Sequence, residues 1–145
     1  MELIVKRFDE LNINELYEIL KARAEIFVVE QDCPYQDLDD KDKKSYHLWL
    51  EENGEILAYV RLIDCGVSCD CASIGRVISR VRRCGYATML INKAIELCRQ
   101  LNQTDKIKIH AQVYARSLYE KCGFYQSSEE FLEDGIPHIE MTLDL

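Results

Sequence analysis

Apolar residues recur every three or four positions through Ala87, Leu90, Ile91, Ala94, Ile95, Cys98 and Leu101. That spacing lines one face of a helix, predicted from Tyr86 to about Leu101. Just upstream, Ala72 to Ser79 is short, rich in β-branched residues, and reads as a strand. Leu3 to Phe8 alternates weakly and predicts a first strand. Asn12 or Asn14 caps a helix that runs through Leu16, Ile19 and Leu20 and continues, after a kink, to Val29, with Pro34 as its stop. Asp37 to Lys44 is charged at nearly every position and reads as a loop. Ser45 to Glu51 and Glu55 to Asp64 are two strands joined by Glu52-Asn53-Gly54, a hairpin turn. Lys106 to Ala111 alternates as a strand does; a helix near Ala115, a strand from Phe124 and a last strand from Pro137 to Leu143 complete the chain. Strands outnumber helices and a helix crosses between two of them, so the expected class is α/β with a central sheet, in one domain over residues 1–145.

The junction before the long helix carries the most chemistry. Arg82 to Ala87 reads Arg-Arg-Cys-Gly-Tyr-Ala, a turn between strand and helix. The first N–H groups of a helix have no intrahelical partner, and phosphate oxygens satisfy them well. Gly85 lets an anion approach the backbone where a side chain would block it. Arg76, Arg80, Arg82 and Arg83 fall within eight residues of a chain whose formal net charge is -8. A local cationic cluster in an acidic protein points to a specific anionic ligand rather than to nucleic acid; the plain alternative is a solvated loop before a surface helix. No Gly-Lys-Ser/Thr closes a P-loop, and no Gly-x-Gly-x-x-Gly follows a strand.

At 16.9 kDa, 48% hydrophobic and 30% charged, the composition is that of a globular domain able to bury a core. No segment reaches the roughly 18 apolar residues that span a bilayer. Met1 to Glu10 lacks an apolar signal core, so the expected location is cytoplasmic, with no membrane partner. Seven cysteines, an odd number, argue for free thiols rather than a disulfide frame. Cys65, Cys69 and Cys71 form the one close group; without a second Cys or His pair at metal spacing they read as a cysteine-rich loop, and no metal is expected. Cys98 and Cys122 read as small core residues; Cys33 and Cys84, nearer the expected site, read as packing residues, with a nucleophile as the alternative that no neighbouring His in sequence supports.

Arg82, Gly85 and Ala87 fill the cofactor-turn pattern of the GNAT N-acetyltransferase superfamily, which is Gln or Arg, two residues, Gly, one residue, Gly or Ala. Ala115 to Phe124, Ala-Arg-Ser-Leu-Tyr-Glu-Lys-Cys-Gly-Phe, resembles its second signature, a short helix closed by Gly-Phe. Phe27 to Asp37 and Asp134 to Ile139 narrow the resemblance to the ElaA-like branch. Together these matches run from about Arg23 to Met141. The chain departs from the pattern at Gln112, where the superfamily usually has Asn.

The resemblance implies a single-domain GNAT-like acyltransferase fold, with a mixed, mostly antiparallel central sheet flanked by helices. It implies acetyl-coenzyme A as co-substrate, with the pyrophosphate on the backbone N–H groups of Arg83, Cys84, Gly85, Tyr86, Ala87 and Thr88. Arg76 and Val77 would lie beside the pantetheine, and Gln112 would touch its arm. The acceptor would be a small-molecule or peptide amine. Tyr119, four residues before Gly123, takes the place of the general acid, since a phenol of pKa about 10 keeps its proton at pH 7; the alternative is that it only packs. For the base, Glu30, His138 and a chain of waters stand open, while His47 and His110 read as structural. Asp37, Asp39, Asp40 and Asp42 read as a solvated loop, or else attract a cationic amine. A coenzyme A-binding sensor or scaffold without turnover is one rival function, a redox or metal protein built on the seven cysteines is another, and homodimer assembly stays open.

Overall fold

The hydrophobic pattern is realised as two antiparallel sheets that touch at one point. The computed structural model describes every residue from Met1 to Leu145. Strands β1 (Glu2–Arg7), β2 (Ser45–Glu52), β3 (Glu55–Ile63) and β4 (Ser73–Ser79) pair in chain order. The second sheet has β8 (Ile136–Asp144) at its centre, flanked by β5 (Lys106–Gln112) on one side and by the short β6 (Tyr125–Gln126) and β7 (Phe131–Glu133) on the other. Between β4 and β5 the link is a single parallel bridge, Ala72 with Ile107, with the Lys108 amide donating to the Ala72 carbonyl at 3.1 Å. Beyond that bridge the two strands are not paired, which leaves an open wedge between the sheets.

Helix α2 (Tyr86–Leu101) fills the space beneath both sheets. Its predicted stripe, Leu90, Ile91, Ala94, Ile95 and Cys98, is buried against Leu48, Val60, Leu62 and Ile74 of the first sheet and Ile107, Ile109, Met141 and Leu143 of the second. Each buried Leu, Ile, Val or Met among them contributes about 1.5–3 kcal/mol on leaving water. The opposite face of the first sheet is covered by α1 (Ile13–Arg23), whose Ile19 and Ala22 pack on Trp49, Ile56, Tyr59 and Ile78. With both faces covered, β3 is buried almost from end to end.

Several local expectations resolve. Asn12, not Asn14, caps α1: its Oδ1 accepts from the Glu15 amide at 2.8 Å, and the Glu15 carboxylate accepts from the Asn12 amide at 3.0 Å. The kink is a π-helical run, Ala24–Glu30, in which the Gln31 amide reaches Ile26 O at 3.1 Å. The helix ends at Glu30, four residues before Pro34, and Asp32 turns left-handed at φ 51° just after it. Asn53 and Gly54 both take positive φ, the geometry that a two-residue hairpin with native twist requires. The strand at Phe131–Glu133 is not apparent from periodicity, being three residues long; Asp134 and Gly135, again both at positive φ, make its hairpin to β8. Strand β6 holds only two residues, shorter than the pattern after Phe124 suggests.

Candidate active site

The wedge between β4 and β5 is a cleft of about 1170 Å³, at or above the upper end of the usual range for ligand sites. Of the residues singled out by the sequence, Arg76, Val77, Arg82, Arg83, Gly85, Tyr86, Ala87, Thr88, Gln112, Tyr119, Glu30 and His138 all line it. Cys84 does not; its side chain is exposed outside the cleft lining.

One wall is the strand–turn–helix junction. Gly85 is the N-cap of α2 at φ 73°, φ of Arg83 is 61°, and no side chain caps the helix. The amides from Arg82 to Thr88 donate to no backbone carbonyl; the first pairing is Met89 N–H to Gly85 O at 3.0 Å. A row of free N–H groups at a helix N-terminus is an anion cradle. A Cβ on Gly85 would meet nothing within 4 Å, so the space in front of this turn is open.

The floor is β4, which carries a bulge. Tyr59 faces Ile78 and Arg61 faces Gly75, so Val60 alone opposes both Arg76 and Val77. Arg76 adopts φ 50° there, and such a bulge takes backbone groups out of the ladder.

The arginine cluster read from the sequence does not act as one cationic patch. Arg80 pairs with Glu25 at 3.0 Å, Arg82 with Glu30 at 2.9 Å, and Arg76 donates from Nε to Asp37 at 2.8 Å and from Nη2 to Asp39 at 3.3 Å. Arg83 is the member of the group without an ion pair. The helix end, rather than the cluster, presents donors that no protein group engages.

The acidic run is likewise not a solvated loop. Buried Arg23 donates to Asp37 Oδ2 at 3.1 Å and to Asp42 Oδ1 at 2.7 Å, and Arg61 grips Asp39 and Asp42. Three arginines balance three aspartates, so Asp37, Asp39 and Asp42 have little charge to offer an incoming amine; Asp40 alone stays in solvent. Burial opposes ionisation of Asp39, but the Arg61 fork overrides it and holds the carboxyl down at about 2. Asp42, more deeply placed, is also held below the carboxylate range by Arg23 and Arg61 against its burial. His47 sits under this network. Its Nε2 donates to the Asp42 carbonyl at 2.9 Å, which leaves Nδ1 to accept from Tyr59 at 2.7 Å, and burial depresses its pKa. It is a neutral structural histidine, as its sequence context suggested.

The opposite wall comes from β5, β8 and α3 (Arg116–Lys121). Tyr119 is packed edge-on to Phe124 and is only 8% exposed, yet its hydroxyl bonds to no protein group. Burial pushes its pKa up, so the phenol holds its proton. Gly123 closes α3 at φ 103°, where a Cβ would press on Leu143 Cδ1 at 2.9 Å; the residue is glycine for both reasons. Gln112 donates to Gln31 Oε1 at 3.3 Å, a tie across the cleft to the end of the π-helical segment.

His138 is buried, donates from Nδ1 to Ile136 O at 2.7 Å, and presents Nε2 toward Glu133 at 3.5 Å. Glu133 also meets His110 Nδ1 at 2.9 Å, and Phe131 packs against both rings. Sequence reading missed Glu133 because it belongs to the short β7. The only signal for it was Asp134-Gly135, a hairpin turn that needs a strand on each side.

The chain matches the family model for the acetyltransferase (GNAT) domain over residues 14–145. It belongs to the GNAT acetyltransferase family. A UPF0039 protein of Schizosaccharomyces pombe is 40% identical, over the whole of this chain and 98% of its own length. Among solved structures, an acyl-CoA N-acyltransferase from Pseudomonas aeruginosa superposes with a TM-score of 0.91 at 35% identity, covering 99% of each chain. Escherichia coli ElaA superposes with a TM-score of 0.91 at 33% identity, covering 99% of this chain and all of ElaA. The ElaA-like branch of the GNAT family and its mixed α/β acyltransferase fold, expected from the motifs, are thus established, and the protein is a transferase enzyme. No helix is long and apolar enough to cross a membrane.

Proposed function

We propose that the protein transfers the acetyl group of acetyl-coenzyme A to an amine by direct attack inside the β4–β5 cleft. The observation that carries this reading is Tyr119: a protonated phenol, held by packing alone, with a hydroxyl that no protein group occupies. An O–H with no protein acceptor is free to serve the departing thiolate as its general acid.

The other roles follow from the walls. The free amides of Arg83 to Thr88 bind the pyrophosphate. The bulge at Arg76 and Val77 offers a backbone N–H to the thioester oxygen as negative charge develops there. An ammonium acceptor of pKa about 10.4 must lose a proton before it attacks. His138 is better placed than Glu30 to take it, because the Glu30 carboxylate is engaged by Arg82. With Nδ1 committed to Ile136 O, the His138 Nε2 lone pair receives the proton, and Glu133 then faces the imidazolium.

The test is a panel of amines and peptides incubated with acetyl-coenzyme A, with thiol release and acetylated product both measured. Turnover of an amine that Tyr119→Phe and His138→Gln each slow supports the reading. Turnover that neither substitution changes would remove both residues from the mechanism.

A further inference from the structure

We propose that Cys69 and Cys71 are a redox pair that closes to a disulfide under a mild thiol oxidant, at the narrow end of the cleft. The inference is independent of the acyl-transfer reading. Their Sγ atoms lie 2.9 Å apart with one residue between them. A disulfide is about 2.0 Å long, so the two sulfurs stand about 1 Å from bonding distance. No other pair of the seven thiols is in contact. Cys65, the third thiol of the loop, is exposed and spends its hydrogen on the Asp70 carbonyl at 3.2 Å, as a tie within the loop.

The two sulfurs differ in a way that orders the reaction. Cys69 is half-buried and lines the cleft, whereas Cys71 is 1% exposed. Burial, reinforced by the Cys69 thiol beside it, pushes the Cys71 thiol up to about 12. Exchange therefore begins at Cys69, because the thiolate is the nucleophile and access sets the rate. With glutathione disulfide as oxidant, the Cys69 thiolate attacks one sulfur and releases one glutathione thiolate. Cys71, on losing its proton, attacks Cys69 Sγ in the mixed disulfide and releases the second. The protein gives up two electrons and two protons, and glutathione disulfide takes them up as two thiols.

The place of the pair gives the closure a structural meaning. Cys71 directly precedes Ala72, the residue that bridges to Ile107 and accepts from the Lys108 amide. That bridge joins the two sheets, so a ring through Cys69 and Cys71 stiffens the loop that leads into it. The anion cradle at the far end of β4 is untouched, and coenzyme A binding is expected to be the same in both redox forms.

The experiment equilibrates reduced protein with glutathione and glutathione disulfide over a series of ratios. Samples are quenched in acid, the free thiols alkylated with N-ethylmaleimide, and the trypsin digest mapped by mass spectrometry. Cleavage at Arg61 and Arg76 places Cys65, Cys69 and Cys71 on one peptide. The expected oxidised peptide is alkylated once, on Cys65, has lost the mass of two hydrogens, and returns to three alkylated thiols after dithiothreitol. Cys65→Ser is expected to keep the closure and Cys69→Ser to abolish it, with the fold of each checked by circular dichroism. Three alkylated thiols at every ratio, a bond that includes Cys65, or a mixed disulfide on Cys69 that never resolves would each overturn the proposal.

Discussion

Arg61 and Asp39 meet fork to fork, Nη1 on Oδ1 at 2.8 Å and Nη2 on Oδ2 at 2.9 Å, across 22 residues of sequence. This contact pins the acidic loop to the central strand β3 and turns a hydrophilic run into part of the interior. Asp39→Asn leaves the buried guanidinium with half its partner, and Arg61 is only 3% exposed. Removing one member of a fully buried pair costs about 3–5 kcal/mol; because Asp39 is a quarter exposed, roughly 2–3 kcal/mol is expected here. Urea unfolding measures it. A variant as stable as the parent, with a raised KM for the amine, would return the loop to the role of acceptor attractor.

Acid sensitivity follows from the same network. Asp39 and Asp42 have folded pKa values below the roughly 3.9 of a free aspartate. Between those values the unfolded chain binds more protons, so their contribution is full above about pH 4–5 and is lost as pH falls toward 2. His47, buried neutral, adds a loss that starts as pH drops below about 6.5, where the unfolded imidazole takes its proton first. Tm is expected to fall steadily with acidification below neutrality and steeply below pH 4. Asp39→Asn is expected to flatten the acid limb; an equally steep limb in that variant would assign it to other groups.

At the start of α2, the φ of 73° at Gly85 favours glycine, and a Cβ added there would meet nothing within 4 Å, so a longer side chain would project into the open space before the free amides. Gly85→Ala pays the left-handed penalty of about 1–2 kcal/mol, while Gly85→Asn tolerates that backbone better but places a side chain before the turn. Both are expected to weaken coenzyme A by tenfold or more in calorimetry, the Asn variant with the smaller drop in Tm. Full affinity in Gly85→Asn would move the pyrophosphate elsewhere.

Tyr119→Phe removes a hydroxyl that bonds to nothing in the protein and keeps the ring that packs on Phe124. Tm and coenzyme A affinity are therefore expected to stay near parent values. Single-turnover acetyl transfer, followed by rapid quench so that product release cannot mask it, is expected to slow by about 10²-fold or more. Transfer at the parent rate would make Tyr119 a packing residue.

Local order along the chain was written in residues that act on their own backbone or their own face. The stripe from Leu90 to Cys98 fixed α2 because helical spacing is a property of the segment itself. Asn53-Gly54 specified a hairpin because few residues accept two consecutive positive φ values. Arg82, Gly85 and Ala87 marked the turn of unpaired amides for a similar reason, since turn and helix start are built from neighbouring backbone groups. Tyr119 and His138 were singled out by their motifs, and folding brings both to the cleft. What tertiary structure decided was the partner of each charge. Asp37, Asp39 and Asp42 looked solvated, and the arginines after β4 looked like one patch, because the sequence carries no distance between residues 23, 61 and 76. Only the packing of α1, β3 and β4 brings those guanidinium groups onto the loop and converts a net charge into a closed network. Glu133 became visible for the same reason, since three residues are too few to show a period. The cleft itself is a tertiary fact: it exists because β4 and β5 share one bridge and then part, and no single strand encodes where its neighbour stops.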